Sequence, residues 1–156
     1  MHKVVWIWAL CSIIHLHAFD VGKLPIQSTT YDKKRNPHTD LALSMEKAKK
    51  SGKKILMVVG GEWCKWCGQL DNFLDDHESV AEDFYTSFEV LRVYYGKGIS
   101  KEGKSLLTQF PAPKGTPHFY LLDSKAKLLK SIDTGNLERG YSYNKKKFMA
   151  FIKEHR

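Results

Sequence analysis

"KILMVVGGEWCKWCGQL", residues 54–70, runs an apolar segment into two cysteines, Cys64 and Cys67, each preceded by a tryptophan. Lys54–Val59 is short, almost wholly apolar and closed by Gly60 and Gly61, which predicts a strand buried on both faces. From Cys64 onward, Cys67, Leu70, Phe73 and Leu74 fall on one side of a helical wheel, while Lys65, Gln69, Asp71 and Asp75 fall mostly elsewhere. A buried strand therefore leads into a helix that starts at a cysteine.

Working outward, Leu41, Met45 and Ala48 recur at helical spacing after the capping residues Thr39 and Asp40, and Ser51 with Gly52 supplies a stop. Residues 19–38 show no period and contain Gly22, Pro25 and Pro37, so they read as an extended arm or loop. Downstream, Asp76–Thr86 reads as helix and Phe88–Tyr95 as strand; Ser105–Phe110 reads as a short helix before the breaker-rich loop "PAPKGTP". His118–Leu122 and Lys127–Thr134 flank the turn "DSKA" as an antiparallel hairpin, and Phe148, Phe151 and Ile152 stripe a last helix. No internal repeat or low-complexity segment interrupts the pattern.

The chain has 156 residues, 42% of them hydrophobic, enough for one domain with a real core. Its first residues read as an export signal: Lys3 precedes the apolar run Val4–Ile14, and Ala18 offers a small residue for cleavage. Leu16 is bulky for the position two before the cut, and His15 and His17 interrupt the run. The run is shorter than the roughly 20 residues of a spanning helix, which argues against a stable membrane span. Removal of 1–18 takes Cys11 with it and leaves Cys64 and Cys67 as the cysteines of the mature chain. A ring closed over so few residues constrains an unfolded chain little, so a structural staple is a poor reading. The net charge of +8 is spread over Lys33–Arg35, Lys47–Lys54, Lys125–Lys130 and Lys145–Lys147, which read as solvated faces rather than a nucleic-acid site.

The order helix, strand, helix, helix, strand, helix, strand, strand, helix, with Cys-x-x-Cys after the first strand, resembles the thioredoxin fold. "EWCKWC" resembles that family's active-site motif, "GTPHFYLLD" its cis-proline segment, and Gly135 follows the hairpin where the family often has glycine. The resemblance runs from Asp40 to His155 and is greatest to exported single-domain thioredoxin-like proteins of disulfide-handling pathways. It implies an α/β fold with a central mixed β-sheet flanked by helices. The chain then divides into a signal peptide (1–18), an extended N-terminal arm (19–38) and a thioredoxin-like domain (39–156). The chain ends Lys153-Glu154-His155-Arg156 without a retrieval signal, and the expected location is the periplasm, otherwise the secreted space or the endoplasmic-reticulum lumen.

A thiol at a helix start faces unpaired N–H groups and the positive end of the helix dipole, so Cys64 is the expected nucleophile, with Lys65 pushing the same way. Cys67, nearly one turn on, is the expected resolving thiol. A metal site is the rival for a Cys-x-x-Cys, but a structural zinc needs four ligands and the nearest histidine, His77, lies ten residues past Cys67; neither metal nor cofactor is expected. Trp63 and Trp66 are candidates for substrate contact or for packing, and Trp66 stands where many thioredoxins have proline. Thr116 and Pro117 resemble the loop that offers backbone groups to a peptide, and His118 reads as structural. Val58 stands where thioredoxins usually bury an aspartate, so help in deprotonating Cys67 must come from elsewhere, for example Glu62 through water.

The resemblance thus implies a monomeric thiol-disulfide oxidoreductase acting on protein thiols or disulfides and recycled by a separate redox partner, with the direction of electron flow open. The alternative is a non-catalytic chaperone or maturation factor that grips clients through the same groove.

Overall fold

A computed structural model describes residues 19–156; the expected signal peptide, with Cys11, lies outside the described residues. Its centre is a four-stranded mixed sheet in the order β2-β1-β3-β4, with β1 at Lys54–Gly60, β2 at Phe88–Tyr94, β3 at His118–Leu122 and β4 at Leu128–Asp133. β1 runs parallel to β2 and antiparallel to β3, and β3 runs antiparallel to β4.

The period of two along β1 sorts its side chains into two cores. Ile55, Met57 and Val59 meet Leu41 and Ala48 of α2 (Pro37–Ser51) and Leu106 of α5 (Lys101–Leu107). Leu56 and Val58 face the opposite way, into a core with Cys67, Leu70 and Phe73 of α3 (Lys65–Asp75). That core also takes Phe84 of α4 (Glu78–Ser87) and Phe148 of α6 (Lys145–His155). The result is a helix–sheet–helix sandwich with β1 wholly buried beyond Lys54, as its unbroken apolar run requires.

Three expectations need correction. The first long helix begins before Thr39: Asn36 is its cap, accepting from the His38 and Thr39 amides, and Pro37 takes the first turn, where no N–H is needed. The helix expected at Ser105–Phe110 instead starts at Lys101, because the Ser100 hydroxyl accepts from the Gly103 amide and caps it there. Residues 19–38 are not an extended arm. They wind through a 3-10 turn at Val21–Lys23 and the single-turn α1 at Ile26–Thr29, and Gln27, Ser28 and Tyr31 are buried. A small hairpin, β5 (Glu138–Arg139) and β6 (Ser142–Tyr143), fills the connection before α6.

Candidate active site

Cys64 and Cys67 form a disulfide at the N-terminus of α3, their Cα atoms 5.2 Å apart. Cys64 is itself the cap of the helix: its backbone is extended, and its sulfur accepts from the Cys67 amide at 3.1 Å. In the reduced pair the same amide and the helix dipole stabilise negative charge on Cys64. Cys64 is 5% exposed and Cys67 1%, so the residue at the helix start is the less deeply buried of the two.

The two tryptophans behave differently. Trp63 is 56% exposed yet fixed, its indole N–H donating to the Tyr95 carbonyl at 2.8 Å. The ring lies where a Cβ on Gly61 or Gly96 would be, so glycine at both positions makes room for it. Trp66 is half-buried, edge-on to Tyr143 at 5.8 Å between centroids, and the Tyr143 hydroxyl donates to the Trp66 carbonyl. Lys65 is exposed and lies over the ring of Tyr141, 5.8 Å from its centroid. Tyr141, on the tip of the β5–β6 hairpin, is 84% exposed; no motif in the sequence pointed to it.

The Thr116–Pro117 peptide is cis. Pairing of Val59 with His118 sets Pro117 opposite Gly60, at the end of β1 from which the cysteine loop departs. The Pro117 carbonyl accepts from the Thr134 hydroxyl at 2.6 Å, which ties this loop to the end of β4. His118 is buried, 2.8 Å from the Ser131 hydroxyl, and burial lowers its pKa, with Asp133 opposing and Lys114 assisting. His77 is spent on the Phe73 carbonyl and ring at the far end of α3. Among the described residues no cluster of three or more His, Cys, Asp or Glu side chains is placed to hold a metal.

Beside Tyr31 lies a buried polar group that the sequence did not announce. Arg92 of β2 points to the same side as Phe88 and Val90 and is 5% exposed. Its Nη2 donates to Asp71 of α3, its Nε to the Ser28 carbonyl at 3.1 Å, and its guanidinium lies over the Tyr31 ring at 5.0 Å. Burial opposes the charge, but Tyr31, Asp71 and Tyr85 together hold the Arg92 pKa above the ordinary arginine value. Glu62 is exposed and shares an open cleft with Tyr31, Trp63 and Tyr94.

Residues 36–124, more than half of the chain, match the family model described as thioredoxin-like. The chain belongs to the thioredoxin-like family. Solved structures that share its fold include the following two. The disulphide isomerase from Xylella fastidiosa Temecula1 superposes with a TM-score of 0.66 at 22% identity, covering 80% of this chain and 94% of that one. The oxidised C-terminal domain of Neisseria meningitidis DsbD gives a TM-score of 0.57 at 15% identity, covering 81% and 98%. No curated protein sequence matches the chain.

Proposed function

We propose that this protein is an exported thiol-disulfide oxidoreductase that exchanges disulfides with protein substrates through Cys64 and Cys67. The observation that carries this reading is the pair itself, bonded at the start of α3 with the Cys64 sulfur under a backbone amide. Membership of the thioredoxin-like family supports it. In the reducing direction, the Cys64 thiolate attacks a substrate disulfide and forms a mixed disulfide; Cys67 then attacks Cys64 and releases the reduced substrate. Oxidation runs the same steps backwards, and the pair's potential relative to its recycling partner decides which prevails.

In this reading Trp63, Lys65, Trp66, Thr116 and Pro117 form the substrate face, extended by Tyr141. Residues 1–18 direct export, with the periplasm as destination, and the chain from 19 onward acts as a monomer. Among the described residues no helix is long and apolar enough to cross a membrane.

The test is insulin-disulfide reduction with dithiothreitol as recycling reductant. Cys64→Ser is expected to abolish the protein-dependent rate, and unchanged turnover in that variant would overturn the enzyme reading in favour of client binding. Equilibration with glutathione then assigns direction: a potential near about −270 mV indicates a thioredoxin-like reductant and one near about −120 mV an oxidant.

A further inference from the structure

Tyr31 and Cys67 come from segments far apart in sequence, and both lie against one glycine. A Cβ built on Gly60 would overlap the Cys67 sulfur and stand 3.2 Å from the Tyr31 hydroxyl oxygen, so both atoms border the same small space. Tyr31 is 4% exposed, and its hydroxyl has no hydrogen-bond partner among the described residues. A buried, unpaired hydroxyl is costly, and native proteins keep few of them. Its neighbour Cys67 changes character with oxidation state: a disulfide sulfur is a weak acceptor, whereas a thiolate is a strong one. Forming that thiolate where the side chain is 1% exposed is unfavourable unless something donates to it.

We propose that Tyr31 is the hydrogen-bond donor to the Cys67 thiolate: once freed from Cys64, the Cys67 sulfur shifts within reach of the Tyr31 hydroxyl, with the Arg92 guanidinium over the tyrosine ring. The inference rests on the oxidoreductase reading and names the residue that makes its second step possible. In that step the Cys67 thiol first loses its proton to solvent. The thiolate then attacks the Cys64 sulfur of the mixed disulfide, the Cys64–Cys67 bond forms and the Cys64–substrate bond breaks. The substrate sulfur leaves as a thiolate and takes a proton from water. Overall, two electrons pass from the protein dithiol to the substrate disulfide. Tyr31 keeps its own proton throughout, because burial pushes its ionisation well above the usual tyrosine range.

The charged and titratable groups around this corner act in both directions. Arg92 from β2 favours the thiolate, Asp71 from α3 disfavours it while pairing with Arg92, and Tyr85 of α4 and Tyr143 of β6 are neutral hydroxyls. Glu62 and Asp32 lie along the open cleft beside Tyr31.

The test uses the chain with its leader removed. In a Cys64→Ser background, ultraviolet absorbance of the Cys67 thiolate is titrated with and without Tyr31→Phe, which keeps the ring and removes the donor. The apparent Cys67 pKa is expected to rise by about one unit, a tenfold loss of thiolate at a given pH. With both cysteines present, Tyr31→Phe is expected to accumulate the Cys64–substrate mixed disulfide because its resolution slows by about threefold, the tenfold loss of thiolate being partly offset by the greater nucleophilicity of the more basic sulfur. An unchanged Cys67 titration in a folded Tyr31→Phe protein overturns the proposal. Should that variant not fold, 3-fluorotyrosine placed at position 31 strengthens the donor without changing its shape; it is expected to lower the Cys67 pKa, and no shift overturns the proposal. A wild-type chain without insulin turnover would defeat the enzyme reading instead, whatever the Cys67 titration shows.

Discussion

Cys64 caps α3 with the same sulfur that is proposed to react, so the charge-stabilising amide and that atom are placed together by local backbone geometry. This was legible in the sequence, because a strand, a short glycine turn and a helical stripe fix where the helix begins. The setting of Trp63 was not legible: its indole bonds the carbonyl of Tyr95, a residue on a different strand end. His118 carries a prediction at this scale. Burial holds its folded pKa below the usual value, against Asp133 and with Lys114, while the unfolded chain takes up a proton near pH about 6.5. The neutral ring therefore contributes stability that is fully present above that pH and is lost as pH falls through it toward the lowered folded value. Thermal melts at pH 7 and pH 5 are expected to show a smaller difference for His118→Gln than for the wild type; equal differences would remove His118 as the source.

At the scale of elements, the caps decide boundaries that periodicity alone misplaced. α2 begins at Pro37 because Asn36 accepts from two amides of its first turn, whereas Thr39 and Asp40 lie inside the helix. Asp40 is instead spent on Arg35, whose Nε donates to it at 2.8 Å. Asn36→Ala is expected to cost about 1 kcal/mol of stability, read by urea unfolding, while Thr39→Ala costs less than half of that. Strand β2 shows the other way that a local reading falls short. Phe88, Val90 and Arg92 alternate onto one face, and the alternation alone does not say that the cation at the third position is buried. Arg92 is buried with its Nε on the Ser28 carbonyl and its Nη2 on Asp71, both brought from other elements, while its Nη1 has no partner among the described residues. The last helix, by contrast, was readable from its stripe, since Phe148, Phe151 and Ile152 are all buried together.

For the whole molecule, the segment before α2 is the part whose role changed most. It covers β2, gives Arg92 the Ser28 carbonyl and stacks Phe19 on Tyr85 with ring centroids 6.1 Å apart. A chain starting at Tyr31 is expected to be about 2–3 kcal/mol less stable to urea than one starting at Phe19, because a buried charged donor loses its acceptor. An extended, solvated arm would give no difference. The residue pattern alone specified the order of elements from α2 to β4 and the last helix, the two-sided burial of β1 and the Cys-x-x-Cys pair, but not α1 or the β5–β6 hairpin. Those features follow from periodicity and spacing within about ten residues, where geometry leaves few choices. Packing between distant segments is what sets Tyr31 and Cys67 against the same glycine, lays the buried Arg92 over the Tyr31 ring and brings Tyr141 beside Lys65. These pairings join segments distant in the chain, and they arise when helices and strands pack; no local pattern of residue types encodes which side chains will meet.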